Sequence, residues 1–335
     1  MKSGETVKKK LILILSCLTL VVGLLIAAYI VQENSMDETI ENAGKAEHGV
    51  EIVKEISYKE NREKLRRNLD TILLIGIDSE SIIERYTDSE FIPYYNYQQA
   101  DFLCLMVFDN SDKTIRLVQI NRDTMNNDPW LSATGDVGGY IYEQIALSHN
   151  SGCGLEDSCL NTCNSVSGLL FGMPIHHYIK ISMGAVPVLN DIVGGVTVSI
   201  GEDLTALSPD MQRGATVKLM GDDALRFVRA RKGVSDGTNI SRMRRQRTYM
   251  KSYLSQAKTA FSNDLELVAE TIIQLDKYML SDMSYELLST FANKISSYQM
   301  DAIYVPEGES VINNNYYEFH VDKDLLWEKM KEIVC

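Results

Sequence analysis

The longest uninterrupted apolar stretch lies near the start of the chain. Leu11–Val31 carries no charged residue, and about 20 apolar residues suffice to cross a bilayer. Lys8, Lys9 and Lys10 precede it, and Glu33, Asp37 and Glu38 follow. That asymmetry predicts a single-pass anchor, with residues 1–10 in the cytoplasm, a transmembrane helix at 11–31 and the rest of the chain outside. A cleaved signal peptide is the competing reading. Its apolar core is usually shorter and ends in a small-x-small site, of which Ala27-Ala28-Tyr29 is a poor version. Residues 32–67 are polar without strong apolar periodicity, which predicts a stalk. Residues 68–335 are read as one extracellular domain.

Within 68–335 the pattern changes to short apolar runs separated by polar turns. Thr71–Ile77 reads as a buried strand ending at Asp78. Phe102–Phe108 and Thr114–Ile120, joined by Asp109–Lys113, read as a hairpin. Asp101 opens the first of these strands and Arg122-Asp123 closes the second, so antiparallel pairing makes Asp101 and Arg122 neighbours. Gly138–Gly152 holds a Gly-Gly turn and an apolar run. Asp157–Gly172 has helical periodicity, His177–Met183 reads as a strand, and Ala185–Val193 as a short helix stopped by Gly194-Gly195 before a strand at Val196–Ile200. Helices are expected over Thr248–Ser262, Leu265–Tyr278, Tyr285–Ser297 and Asp322–Val334, and a strand over Asp301–Val305. Alternating strands and helices predict an α/β protein with helices covering a sheet.

Charge changes the picture. The chain is acidic overall, at −13, which argues against a general polyanion binder and against nucleic acid as a partner. Yet Arg226–Arg247 gathers arginines 226, 229, 231, 242, 244, 245 and 247 with Lys232, against Asp236 alone. A local basic patch of this kind, made of arginine rather than lysine, points to phosphate or carboxylate held by a planar fork of donors. Arg229 and Arg231 share a face if extended, and Arg242, Arg245 and Gln246 share one if helical. The competing reading is a solvated helix face, although such faces usually mix signs. Asp78 and Asp101, two acids at strand ends, are hard oxygen ligands suited to magnesium; turn formation is the competing role for Asp78. Cys153, Cys159 and Cys163 lie close together, and a disulfide from Cys153 to one of the other two is favoured over a bridge within the helix. With His149 they suggest zinc faintly, without the paired spacing of a zinc site.

The segments Thr71–Asp78 (TILLIGID), Ala100-Asp101, Gln119–Thr124 (QINRDT), Val193–Val196 (VGGV), Gly221–Arg231 (GDDALRFVRAR) and Arg242–Gln246 (RMRRQ) occur in this order. Together they resemble the LytR-CpsA-Psr family of Gram-positive cell-envelope proteins, over about residues 68 to 300. The resemblance implies a mixed central β-sheet flanked by helices, an α-β-α sandwich behind an N-terminal transmembrane helix. It implies a phosphotransferase in the cell membrane that moves an anionic glycopolymer, such as teichoic acid or capsule, from a polyprenyl-pyrophosphate carrier to peptidoglycan. On that resemblance Asp78 and Asp101 match the magnesium-associated acids, and Arg122, Arg229, Arg231, Arg242 and Gln246 match pyrophosphate contacts. Arg122 and Asp123 match the Arg-Asp pair taken as catalytic, and Arg245 joins the pyrophosphate set through its shared helix face. The sequence departs from the family at Gln99, where arginine is frequent, at Asn121, where proline is usual, in the long spacing from Asp78 to Asp101, and at His149–Gly152, which lacks a tyrosine. The carrier's tail calls for an apolar groove, for which residues 166–196 are rich enough, though ordinary core is the commoner use of such segments. Two non-enzymatic readings stand beside this one. One is a binding module for envelope polymers, needing the arginines but not the acids. The other is a scaffold using the stalk and the tyrosine-rich loop around Tyr86, Tyr94, Tyr95 and Tyr97.

Overall fold

The computed structural model describes residues 68–82, 96–132, 135–230, 233–235, 239–263, 267, 274–313 and 316–334. The expected membrane helix at 11–31, the stalk at 32–67 and most of the expected helix at 265–278 lie outside the described residues. Among the described residues no helix is long and apolar enough to cross a membrane. They divide into two compact units, one holding Met183–Tyr278 and Ser284–Ser296, the other the residues up to Ser182, Met279–Met283 and those from Ser297 onward.

The second of these units is built on a six-stranded mixed sheet. Its strands are β1 (Leu69–Ile77), β2 (Ala100–Asp109), β3 (Thr114–Ile120), β6 (His177–Ser182), β9 (Met279–Ser281) and β10 (Gln299–Tyr304), in the order β10-β3-β2-β1-β6-β9. β1, β2 and β3 run antiparallel to their neighbours in turn, while β6 joins β1 and β10 joins β3 in parallel. The apolar runs in β1 and β2 lack strand alternation because both their faces are buried: Ile72, Leu73, Leu74 and Ile75 are all inside, as are Leu103 through Phe108. One face, with Leu73, Ile75, Leu103 and Leu105, forms a continuous core with Cys159, Val166 and Leu169 of helix α1 (Glu156–Leu169) and Leu326, Met330 and Ile333 of the last helix, α6 (Lys323–Val334). Each such side chain contributes roughly 1.5–3 kcal/mol through burial. Val166, Leu169, Leu170 and Met173 belong to this core, so that part of the segment considered for a carrier groove packs the sheet instead.

Two outer hairpins complete this unit. β4 (Met125–Leu131) pairs with β5 (Val137–Gln144), and β11 (Gly308–Asn313) with β12 (Tyr316–Val321). The sequence pattern did not announce β4, β11 or β12, which are largely polar; β4 and β12 are partly buried and β11 is exposed throughout. The Gly-Gly expected as a turn lies inside β5. A Cβ at Gly138 would come within 2.5 Å of the Trp130 ring, and one at Gly139 within 2.7 Å of its Nε1. The glycines are there because the indole of Trp130 lies across the strand. Ile145–Asn150 follows as a 3-10 helix. The question of a disulfide, left open by the sequence, is answered here: Cys153, Cys159 and Cys163 are free. Cys159 and Cys163 point into the core, whereas the exposed Cys153 thiol meets Asp157 Oδ1 at 3.0 Å. His149 is fully buried, its Nδ1 3.1 Å from the Gln98 carbonyl, and burial with Lys180 nearby pushes its pKa down to about 3. Among the described residues, no three histidines, cysteines or acids gather into a metal-binding group.

The other unit contains α2 (Ala185–Ile192), the hairpin β7 (Val196–Ser199)–β8 (Thr216–Leu219), α3 (Asp222–Arg229), the long α4 (Asn239–Asn263) and α5 (Tyr285–Ser297). Its polar centre is Asn190, fully buried. The amide donates to the Leu219 carbonyl at 3.0 Å and its oxygen accepts from Val196 N at 3.1 Å and the Tyr249 hydroxyl at 3.2 Å, tying α2 to β7, β8 and α4. α4 starts well before the expected Thr248, so the RMRRQ segment is helical.

One buried acid sets a pH dependence. Asp128 of β4 is wholly buried; its Oδ1 accepts from Asn126 Nδ2 at 2.8 Å and from the Ser165 hydroxyl, while Oδ2 has no partner. Burial raises its pKa to about 7, against the lowering effect of those two hydrogen bonds. The folded pKa lies above the unfolded one, so the neutral acid is the form the fold favours. Stability is full below the ordinary carboxylate range and falls as pH rises toward 7, by at most about 1.4 kcal/mol per pH unit. Urea unfolding of the parent between pH 5 and 7 should show this slope, and Asp128→Asn should remove most of it. An unchanged slope in the variant contradicts the assignment.

Candidate functional site

Three strand ends meet at one end of the sheet: the C-terminus of β1, the N-terminus of β2 and the C-terminus of β3. The β2–β3 register pairs Leu103 with Ile120, and two further residues along it brings Asp101 level with Arg122. Between β1 and β2 the register slips: Gly76 faces Phe102, but Ile77 faces Ala100. Asp101 is therefore the extra residue of a β-bulge, a device that re-aims a side chain at a strand end. The hydrogen bonds follow from it. The Gln99 carbonyl accepts from both Asp78 N at 3.2 Å and Asp101 N at 3.1 Å, and Gln99 N donates to Asp78 Oδ1 at 2.8 Å.

Arg122 is held at three points. Nη1 forms an ion pair with Asp101 Oδ1, Nη2 donates to Gln99 Oε1 at 2.7 Å, and Nε lies 3.3 Å from Asp123 Oδ1. Only 12% of the Arg122 side chain and 6% of Asp101 are exposed, so these charges act on one another with little water between them and more strongly than a surface pair would. Asp123 Oδ1 also accepts from Gln144 Nε2 at 3.3 Å. Asn121, standing where proline is usual, supplies its own turn: Oδ1 accepts from Asp123 N at 3.0 Å. Behind the cluster the fully buried Lys180 donates to Gln98 Oε1 at 2.8 Å and to the Gly154 carbonyl, fixing the segment that leads into Gln99.

Sequence reasoning named Asp78, Asp101, Arg122 and Asp123, and all four lie in this cluster. It did not name Gln99 as a hub. The signal was present, because a polar side chain two residues before Asp101, on the far side of the bulge, faces the same strand end. Gln144 was hidden in a segment read as turn and apolar run. In donor chemistry the two acids suit magnesium. A carboxylate offers several lone-pair sites, and two carboxylates completed by phosphate and water are how that ion is commonly held.

The remaining predicted residues belong to the other unit. Arg229 ends α3 and is exposed; Arg231 lies outside the described residues. Arg242, Arg245 and Gln246 fall on one face of α4, and Arg242 and Arg245 are buried. Arg245 donates through Nε to the Phe227 carbonyl at 3.1 Å, through Nη2 to Ala230 O, and through Nη1 to Glu202 Oε1 at 2.6 Å; Gln246 Nε2 donates to Val228 O at 3.1 Å. These are the carbonyls that the end of α3 leaves without helical partners, so Arg245 and Gln246 act as the C-terminal cap of α3.

The fold and the strand-end cluster define a mixed-sheet α/β protein that concentrates acids and arginine at one sheet end. Comparisons with known proteins carry this further. The LytR_cpsA_psr family pattern matches residues 29–333, and the chain belongs to that family. An uncharacterised protein of Staphylococcus aureus is 26% identical over 291 residues, which is 84% of this chain and 64% of the relative; the chain thus spans slightly under two thirds of that protein's length. A Bacillus mycoides protein named polyisoprenyl-teichoic acid–peptidoglycan teichoic acid transferase TagU is 25% identical over 257 residues, 75% of this chain and 74% of the relative. Among solved structures, a Streptococcus agalactiae protein superimposes with a TM-score of 0.59 at 18% identity, covering 83% of this chain and 90% of that one. One described as TagT bound to LI-WTA does so with a TM-score of 0.55 at 20% identity, covering 85% and 98%. At such identity these likenesses speak to the fold.

The capping geometry predicts a division among the arginines. Arg245→Ala takes the ion-pair partner from Glu202 and the donors from the Phe227 and Ala230 carbonyls, and should lower stability by about 3 kcal/mol. Arg229→Ala, at an exposed position, should stay within about 0.5 kcal/mol of the parent. Equilibrium urea unfolding of both variants checks this, and equal losses would contradict it.

Proposed function

We propose that this chain transfers an anionic glycopolymer from a polyprenyl-pyrophosphate carrier to peptidoglycan. The observation that carries the reading is the convergence of Asp78, Asp101, Arg122 and Asp123 at one sheet end, with Arg122 fixed from three sides. Family membership and the names of the relatives support it. In the reaction, an acceptor hydroxyl oxygen attacks the phosphorus that bears the glycan. The bond from that phosphorus to the bridging oxygen breaks, and polyprenyl phosphate leaves. Arg122 takes up charge on the phosphate oxygens as the bond breaks, and Asp123, whose Oδ1 lies 3.3 Å from Arg122 Nε, receives the hydroxyl proton. Asp78 and Asp101 would hold magnesium, whose contribution is to neutralise pyrophosphate charge. Such a transfer needs positioning and charge neutralisation more than covalent help from the protein. Arg229, Arg231 and Arg242 are the residues from which further phosphate contacts are expected. An N-terminal anchor at 11–31 would keep the domain beside the membrane that holds the carrier, on the outer side of a Gram-positive envelope.

The test uses the full chain in detergent with a lipid-pyrophosphate-linked glycopolymer and peptidoglycan, scoring release of polyprenyl phosphate. A charge-assisted hydrogen bond contributes about 1.5–3 kcal/mol, so Arg122→Ala and Asp101→Asn should each slow transfer by roughly ten- to a hundredfold. Chelating magnesium should stop it, and the exposed Arg244→Ala should transfer like the parent. Parental rates in Arg122→Ala, or full activity without a divalent ion, would overturn the proposal.

A further inference from the structure

The hairpins beside the cluster carry an exposed aromatic face that the transfer chemistry does not use. In β5, Tyr140 is 70% exposed and Tyr142 58%. The β4–β5 register pairs Pro129 with Tyr140, Asn127 with Tyr142 and Met125 with Gln144. Tyr140, Tyr142 and Gln144 therefore line one face of the ribbon, with about 7 Å between successive members. Ile141 and Glu143 fall on the other face, with Asp128 and Trp130. The row does not end at random: Gln144 Nε2 bonds Asp123 Oδ1 at 3.3 Å and also the Tyr317 carbonyl of β12. Phe319 N of the same strand donates to the Asp123 carbonyl at 2.8 Å. The tyrosines thus form a ladder whose foot is bonded to the proposed reaction centre. Beside it, Glu318 of β12 helps to raise the Tyr142 phenol above its usual pKa, after burial, and Tyr316, on the same face as Glu318, is 70% exposed.

Charge selects the occupant. Neither hairpin, over residues 124–144 and 308–321, contains a lysine or arginine, while the acids Asp136, Glu143, Glu309 and Glu318 fall within them outside the buried Asp128. Such a surface repels anionic lipid headgroups and phosphate-rich polymers. It suits a ligand that is uncharged, offers apolar C–H faces to stack on rings and offers hydroxyls to phenols and carboxylates. Tyrosine provides this at low entropic cost, as a rigid ring with a polar tip.

We infer that the Tyr140–Tyr142 face is a docking ladder for an uncharged glycan strand and delivers the acceptor's sugar hydroxyl to Asp123. The inference deepens the transfer reading and rests on it. The ladder orients the acceptor and takes no part in bond breaking, and the donor's anionic chain is excluded from it by the acidic hairpins.

The probe is a soluble N-acetylglucosamine hexasaccharide titrated into the full chain in neutral detergent, read by calorimetry and by hydrogen exchange over residues 137–144. Expected are protection of that segment, an affinity little altered by salt because the ligand is uncharged, and at least about tenfold weaker binding in Tyr140→Ala/Tyr142→Ala, the loss expected for two stacking contacts. Tyr142→Phe should retain binding, and Ile141→Thr, on the opposite face, should bind like the parent. If the double variant fails to fold, the single Tyr140→Ala, at the most exposed rung, should still bind measurably more weakly. Equal binding by the alanine variants, or no binding by the parent, overturns the inference. So does protection of 137–144 by phosphatidylglycerol vesicles in place of the sugar, which would assign the face to the membrane. Binding is read without transfer. A parent that binds the hexasaccharide through the tyrosines yet moves no glycopolymer keeps the ladder and sinks the transfer reading, whereas active transfer with alanine variants that bind normally does the reverse.

Discussion

The register between β2 and β3 is the constraint on which the site depends. Side chains alternate across a strand with period two, so a slip of one residue would turn Asp101 and Arg122 to the wrong face. Behind it, Leu103 pairs with Ile120 and Leu105 with Val118, and all four lie inside the core. The single bulge at Asp101 then breaks the pattern where chemistry needs it broken. It lets one carbonyl, that of Gln99, accept from both Asp78 and Asp101, and so brings together two acids far apart in sequence. Packing sets the register, the register sets the pair, and the bulge recruits the third member.

Arginine does two kinds of work in this chain. At the sheet end Arg122 is gripped by Asp101, Gln99 and Asp123, a geometry that a flexible lysine point charge would not hold. In the other unit Arg245 and Gln246 close the carbonyl end of α3, where a cation also meets the negative end of the helix dipole. A run of basic residues that looks uniform in sequence is thus divided by burial: Arg245 is part of the frame, while Arg229 stands exposed.

Much of the central sheet could be read from the sequence, because runs such as Thr71–Ile77 and Phe102–Phe108 must be buried on both faces and have few alternatives. The Asp101–Arg122 contact followed from hairpin pairing alone. The outer hairpins were not legible. Met125–Leu131 and Gly308–Val321 are polar and carry weak alternation, and their pairing comes from tertiary contacts, among them the Phe319–Asp123 and Gln144–Tyr317 bonds. Gly138-Gly139 misled as a turn because its real cause, the indole of Trp130 lying over the strand, sits eight residues earlier. Whether the three cysteines pair was open in the sequence for a related reason: helix α1 aims Cys159 and Cys163 into the core, a direction that sequence spacing does not give. Gln99 looked like a loss relative to the family, yet its side chain holds Arg122.

Asp78, Asp101 and Arg122 are proposed to hold a pyrophosphate and its metal ion together. Diffraction from crystals of the chain grown with farnesyl pyrophosphate and manganese, the latter located by its anomalous signal, tests this most directly. A manganese peak is expected within coordination distance of both carboxylates, with pyrophosphate oxygens within hydrogen-bond distance of the Arg122 guanidinium. A peak elsewhere, or a pyrophosphate bound without touching Arg122, would contradict it.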